Sequence, residues 1–336
     1  MKKKFILIYP LLILITGCFS PKGPSTEELK VKYGDFNGST IKWLSVDYEK
    51  TPINKKILHH PEDFEYLDKV EIYSIAHISD GLFLTGFMVA PKAPGEFPCI
   101  VFNRGGNQDM GQLQLVGTVV EIMAPLAAKG YVVVGTNYRG NSGGEGKEQF
   151  GGDDVNDVRN LIKSLSEFEK ANTEKIGLLG ISRGGMMNYL TLKSEPGLNI
   201  KTIVNIGGIT DMNETIKHHH QIEDVAIELI PDFHQNRETE LEKRSAVYWA
   251  DELPKDVPIL ILHSKEDQHV SYSQIPSFAD SLMAYGVPHK LVSFEDDNHG
   301  LLNHREIVKE LVLTWFDDYV KNARPFEEGN IRETVE

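Results

Sequence analysis

Cysteine is nearly absent: the 336 residues hold two, Cys18 and Cys99. A disulfide framework therefore cannot hold the fold. Basic clusters are also missing beyond Lys2–Lys4, and the formal charge is −14. That balance excludes nucleic acid as a natural partner, since phosphate backbones need clustered Lys and Arg. The apolar stretch from Phe5 to Ile15 is interrupted by Tyr9 and Pro10. It falls short of the ~20 residues a membrane-spanning helix needs. No internal repeat is visible, and no low-complexity tract beyond a short Pro- and Gly-containing segment after Cys18. What remains is 40% hydrophobic, enough for one large core or two modest ones.

From Val70 onward the chain alternates. Val70, Ile72, Ser74 and Ala76 interleave with polar neighbours, Ser79-Asp80-Gly81 makes a turn, and Leu82–Val89 follows. This predicts a hairpin. Short apolar runs come next at Cys99–Phe102, Tyr131–Gly135, Ile176–Ile181, Ile203–Ile206, Ile259–Leu262 and Leu291–Phe294. Between them lie apolar residues at helical spacing, such as Val155, Val158, Leu161, Ile162 and Leu165, and finally Val308, Leu311, Val312, Trp315 and Tyr319. Alternating strands and helices with continuous apolar strands predict an α/β fold, a mostly parallel sheet covered on both faces. Residues 211–256 are too long for a simple connection. They are expected to form a helical cap over the site.

The organising stretch is Lys175–Leu190, KIGLLGISRGGMMNYL. Within it Gly180-Ile181-Ser182-Arg183-Gly184 is a G-x-S-x-G pentapeptide between a predicted strand and a predicted helix. A serine at the tip of such a turn takes an unfavourable dihedral pair. Small residues two before and two after let strand and helix approach, and the hydroxyl stands clear of the sheet. A serine hydroxyl is a weak nucleophile and needs a base oriented by a third group. Asp267 lies five residues beyond Leu262, and His299 just past the next strand. Both fall where loops leave the carboxyl ends of strands. The order Ser182, Asp267, His299 is that of the G-x-S-x-G hydrolases. Glu266 is one residue out of position, Asp296 and Asp297 are too near His299 to orient it, and His263 and His269 read as structural.

The oxyanion of a tetrahedral intermediate needs two donors. The N–H of Arg183 is one. The loop Asn103-Arg104-Gly105-Gly106-Asn107 should supply the other, with Gly106 favoured over Gly105 and the Arg104 side chain. Arg183 itself should pair with an aspartate near the helix that follows Gly152. No cofactor and no metal is called for. Adjacent helical residues His218, His219 and His220 point in different directions and read as a solvated tract. Gly140–Gly146 reads as a structural turn rather than a phosphate loop, since acids follow it.

The segments FNRGGN, TNYRGNSGGEG, GGDDVNDV, GISRGG, ILHSKEDQHV and DDNHG resemble the catalytic domain of the prolyl oligopeptidase family of serine peptidases, within the α/β-hydrolase superfamily. The resemblance runs from about Val70 to Val320. It implies a Ser182–His299–Asp267 acyl-enzyme mechanism acting on a small ester or peptide. Arg183 stands where that family usually has tyrosine, and Arg104-Gly105-Gly106-Asn107 replaces its usual HGGP or YGG. The residues ahead of Val70 are too few for the family's β-propeller, which leaves a simple carboxylesterase as an alternative, and a non-catalytic binding lipoprotein as a second. At the N-terminus, Ile15-Thr16-Gly17-Cys18 resembles the bacterial lipobox, with Lys2–Lys4 as its positive leader. That implies cleavage before Cys18, lipidation of Cys18 and anchoring on the extracytoplasmic face of a membrane. With Cys18 acylated no intrachain disulfide forms, and Cys99 is a small buried hydrophobe. The expected divisions are a signal peptide (1–17), a lipidated tether and extension (18–63), an α/β-hydrolase domain (64–324, cap 211–256) and a C-terminal tail (325–336).

Overall fold

A computed structural model describes residues 24–327, 329 and 331–336. Its described residues form one ten-stranded sheet. In chain order the strands are β1 (Ile41–Ser45), β2 (Val70–Ser79), β3 (Leu82–Pro91), β4 (Phe97–Asn103), β5 (Val132–Thr136), β6 (Ala171–Ile181), β7 (Ile200–Ile206), β8 (Ile259–Ser264), β9 (His289–Phe294) and β10 (Ile331–Val335). Their spatial order is β1-β2-β3-β5-β4-β6-β7-β8-β9-β10. The pairs β1/β2, β2/β3 and β3/β5 are antiparallel, and every pairing from β5 across to β10 is parallel. The expected hairpin is β2–β3, closed by Asp80 and Gly81, both at positive φ. Two central residues of that kind suit the tight turn whose twist matches the strands.

The helices are α1 (Thr26–Tyr33), α2 (Ile53–His59), α3 (Ala124–Ala128), α4 (Val155–Ser164), α5 (Arg183–Ser194), α6 (Met212–His218), α7 (Gln221–Leu229), α8 (Phe233–Lys243), α9 (Gln274–Ala284) and α10 (Arg305–Phe316). Successive strand residues face opposite ways. Val132 and Val134 thus join one core with Val158, Leu161, Met187, Leu192 and Phe278 from α4, α5 and α9. Val133 joins another with Ala124, Ala127, Val312, Trp315 and Phe316 from α3 and α10. Burial on both faces is why these strands read as unbroken apolar runs. Helices α6, α7 and α8 occupy the expected cap segment. They close a third core in which Met212, Ile216, Leu229, Phe233 and Leu241 meet Met186 of α5 and Val270 beyond β8.

Two boundaries differ from the sequence reading. Part of the expected tether and extension is integral to the fold. α1 is started by a capping box in which Ser25 and Glu28 bond reciprocally, and it buries Leu29 and Tyr33. Lys30 Nζ reaches Glu145 Oε1 at 2.5 Å, and β1 extends the sheet beyond the hairpin. The S-x-x-E signal was present, but neighbouring Pro and Gly masked it. At the other end the expected tail supplies β10, parallel to β9. It is a short edge strand with exposed Arg332 and Glu333, a form that avoids further pairing and carries little apolar pattern. Cys99 is buried and free, its thiol pushed up to about 12 by burial. Cys18 and the expected signal peptide lie outside the described residues. Among the described residues no helix is long and apolar enough to cross a membrane.

One buried base gives the sheet a pH dependence. His77 on β2 is fully enclosed, with Nε2 2.9 Å from Thr136 Oγ1, and burial takes it down to about 3. The unfolded chain takes up that proton near the ordinary histidine value, so this stability is present at neutral pH and is lost as pH falls toward 3. Asp157 has the opposite sign. Burial outweighs the bonds from Arg139 and raises it to about 6, so it adds stability as pH falls below 6. His77→Gln keeps a hydrogen-bonding partner for Thr136 and removes the titration. The drop in Tm between pH 7 and about 4.5 should shrink in this variant; an unchanged drop would refute the assignment.

Candidate active site

At the end of β6 the chain turns sharply into α5. Ser182 occupies the turn at φ 58° and ψ −123°. The reason is contact distance. A Cβ at position 184 would lie 1.9 Å from Asn103 O, and one at position 180 would lie 2.3 Å from Gly184 O. Only glycine fits either place, so helix and strands approach until the serine between them has no ordinary conformation left. Such a conformation costs on the order of 1–3 kcal/mol. The Ser182 N–H is held by Ile206 O at 2.9 Å. Of the first N–H groups of α5, that of Gly185 is taken by Ser182 O at 2.9 Å, while those of Arg183 and Gly184, next to the serine, have no acceptor one turn back.

Asp267 lies on the loop after β8, where both its carboxylate oxygens are engaged. Oδ1 accepts from the N–H groups of His269 (2.8 Å) and Val270 (2.9 Å). Oδ2 is 2.7 Å from His299 Nδ1 and 3.2 Å from His263 Nε2. Burial alone would raise the Asp267 carboxyl, but the bonds from His263 and His299 outweigh it and hold the group well below the usual carboxylate range. The His299 imidazole rests against the turn after β7. A Cβ on Gly207 would sit 3.0 Å from both Cε1 and Nδ1 of the ring. Ile206, whose carbonyl holds Ser182, immediately precedes that glycine. The imidazole and the serine thus flank one peptide unit. No hydrogen bond joins Ser182 Oγ to His299 among the described residues; in empty sites such bonds are often long and tighten with substrate.

The rival groups fall elsewhere. Glu266 and Asp296 are exposed. Asp297 accepts from the N–H groups of Asn298, Asn303 and His304 and from His304 Nδ1, and so organises its own loop. His218 bonds Glu214 at 2.8 Å. His219 reaches the site: its ring is 5.5 Å from that of His269, which is 5.1 Å from that of His299. Among the described residues no group of three or more His, Cys, Asp or Glu is arranged to hold a metal ion.

Behind the serine two arginines are buried. Arg183, 1% exposed, donates to Glu148 Oε2 at 2.7 Å, to Gly106 O at 3.1 Å, and to Asp154 Oδ2. The expected aspartate partner is therefore Asp154; Asp157 instead bonds Arg139. Arg104 spends its guanidinium on the carbonyls of Asn137 (3.0 Å), Met110 (3.0 Å) and Gly105 (3.1 Å). It is thus withdrawn from the oxyanion role weighed for it. Both guanidinium groups lie about 5 Å from the Tyr138 ring, a favourable cation–π distance. Burial first, then the neighbouring Arg183 charge, lowers Arg104 to about 10, whereas Arg183, despite its burial, is raised by Asp154 and Glu148.

This network aims the glycine loop. The Gly105 carbonyl is turned to Arg104, and in a trans peptide the following N–H points the opposite way. The Gly106 N–H therefore faces away from Arg104. A Cβ on Gly105 would lie 3.1 Å from Ser182 Cβ, so the loop adjoins the serine. Gly106 is at φ 68°, and a Cβ there would strike Met110 O at 2.4 Å. Glu148 completes the support by accepting the Gln108 N–H. The sequence reading missed Glu148, because a single acid in a glycine-rich stretch carries no pattern.

A carboxylate-paired imidazole across one peptide unit from a serine on a strained turn, at the N-terminus of a helix, can carry acyl transfer. The fold and site define a serine hydrolase of the α/β-hydrolase class. The Prolyl oligopeptidase family matches residues 118–323, and the chain belongs to that family. A Bacillus subtilis protein described as the uncharacterized peptidase YtmA is 30% identical over 202 residues, 60% of this chain and 76% of that protein. The rat acylamino-acid-releasing enzyme is 23% identical over 290 residues, 78% of this chain and 36% of that enzyme. The Pyrococcus horikoshii acylaminoacyl peptidase superposes with a TM-score of 0.66 at 25% identity, over 80% of this chain and 44% of that one. The chain thus spans less than half of the latter two.

Removing the Arg183 fork leaves two buried carboxylates without their main partner. Arg183→Met should therefore lose roughly 3–5 kcal/mol of stability, measured by urea unfolding, and Arg183→Lys should fall between it and wild type. Equal stability of all three would show that the buried charges are not coupled.

Proposed function

We propose that the chain is a lipid-anchored serine peptidase that cleaves ester or short-peptide bonds through an acyl-enzyme. Ser182 attacks the carbonyl carbon. His299 takes the hydroxyl proton and returns it to the leaving group. Asp267 fixes the imidazole with Nδ1 protonated and stabilises the imidazolium. The N–H groups of Arg183 and Gly106 receive the oxyanion. The observation that carries this reading is the 2.7 Å bond between His299 Nδ1 and Asp267 Oδ2, next to a serine held at φ 58°. The peptidase part is supported by the family and by the relatives described as peptidases. Anchoring through Cys18, on the extracytoplasmic face of a bacterial membrane, rests on the sequence Ile15-Thr16-Gly17-Cys18 behind a basic leader.

A fluorophosphonate probe should label the protein, and Ser182→Ala should abolish labelling and lower turnover by at least about 10⁴-fold. Hydrolysis of aminoacyl anilides as well as p-nitrophenyl esters supports the peptidase; turnover of esters alone makes it a carboxylesterase; no Ser182-dependent labelling makes it a binding protein. Gly106→Ala keeps the N–H, but its Cβ would meet Met110 O at 2.4 Å and push the loop out of place, so kcat should fall by up to about 10²–10³; an unchanged kcat would remove Gly106 from the oxyanion site. Palmitate incorporation in the bacterial host should be lost in Cys18→Ser; incorporation unaffected by that change would sink the anchor.

A further inference from the structure

We propose that His263 is a positioning residue for Asp267: a neutral imidazole, protonated on Nε2, that shares Oδ2 with His299 and limits the negative charge His299 meets. The proposal rests on the reading of Asp267 and His299 as the working acid–base pair. His263 ends the apolar run of β8 and is 0% exposed. Its Nε2 is 2.8 Å from Val270 O and 3.2 Å from Asp267 Oδ2. A carbonyl and an ionised carboxylate can only accept, so Nε2 must carry a hydrogen. Its Nδ1 is buried with no partner among the described residues. A proton there would be an unsatisfied buried donor on a buried cation, which is costly. The ring is therefore neutral.

Asp267 is then held on both oxygens: Oδ1 accepts from two backbone N–H groups, and Oδ2 is bonded to His299 Nδ1 with His263 Nε2 3.2 Å away. The carboxylate cannot turn without breaking one of these bonds. A neutral donor tempers the charge on Oδ2 without placing a second cation beside His299. The other groups facing this pair are His269 on the same loop, with its ring 5.1 Å from His299, His219 of the cap beyond it, and Tyr272, whose ring is 6.0 Å from His263 and whose hydroxyl bonds Ser293 Oγ. None of these replaces the His263 Nε2–H, which bonds Val270 O and lies 3.2 Å from Oδ2.

His263→Leu deletes the donor, whereas His263→Gln places an amide N–H near the Nε2 position. Imidazole NMR of the labelled protein reads the effect without turnover. In wild type, His263 should show the neutral Nε2–H tautomer at pH 7. In His263→Leu the carboxylate grips the imidazolium harder, so the His299 titration should move up by about half a pH unit or more. In His263→Gln it should return toward wild type. A parallel drop in kcat of about tenfold in the Leu variant, with KM little changed, supports the same role. Identical His299 titrations in all three proteins would overturn the proposal, as would a charged or Nδ1-protonated His263 at pH 7. If the Leu variant does not fold, the tautomer in wild type still decides. Absence of Ser182-dependent turnover in wild type would defeat the hydrolase reading and leave these titrations as the judge of this one.

Discussion

The site depends on how closely α5 is pressed against the ends of β4 and β6. With the Gly184 Cα against the Asn103 carbonyl, no side chain can stand between helix and sheet. The turn joining β6 to α5 must then pass through a conformation that a serine adopts only under compulsion. The surroundings supply that compulsion. β6 lies between β4 and β7 in the parallel part of the sheet, its final residues are largely buried, and both neighbours are in register with it. Local strain of a few kcal/mol is sustained because relieving it would separate a helix from two well-packed cores. The strained serine and the helix N–H groups beside it are both consequences of that one approach.

Charge is handled in the same region by pairing rather than by exclusion. The chain is strongly acidic overall, yet the two cations behind Ser182 are among its most buried side chains. Arg183 and Arg104 face Glu148 and Asp154, and both guanidinium groups lie about 5 Å from the Tyr138 ring. Burying such a set gives little net stability, because desolvation offsets most of the attraction. Its value is geometric. Arg183 holds Gly106 O, Arg104 holds Gly105 O, and Glu148 holds the Gln108 N–H, so three successive parts of one loop are tied to groups that cannot move into water. The proposed oxyanion donors are thereby set before any substrate arrives.

On the far side, Asp267 and His299 come from the loops after β8 and β9, adjacent parallel strands. Parallel neighbours place their carboxyl ends at one rim, and that geometry brings together residues 32 positions apart. The cap adds His219, whose ring lies 5.5 Å from that of His269, tilted against it, beside His299. That contact joins the cap segment to the loops that carry Asp267 and His299.

The parts of this protein legible in the residues alone are those written in local pattern. Unbroken apolar runs marked β4 to β9, because burial on both faces leaves no polar alternation. Gly180-x-Ser182-x-Gly184 marked the turn, because only glycine tolerates the contacts on either side of it. The order of Ser182, Asp267 and His299 marked the candidate triad, because loops at strand ends recur at predictable places. The sheet's edges were not legible: β10 is short and charged, and the capping box of α1 lay hidden among prolines and glycines. Nor was the choice of Asp154 and Glu148 as Arg183's partners, or the seating of His263 on Asp267. Those depend on which distant groups share a water-free space, and only packing of the whole chain decides where water is shut out.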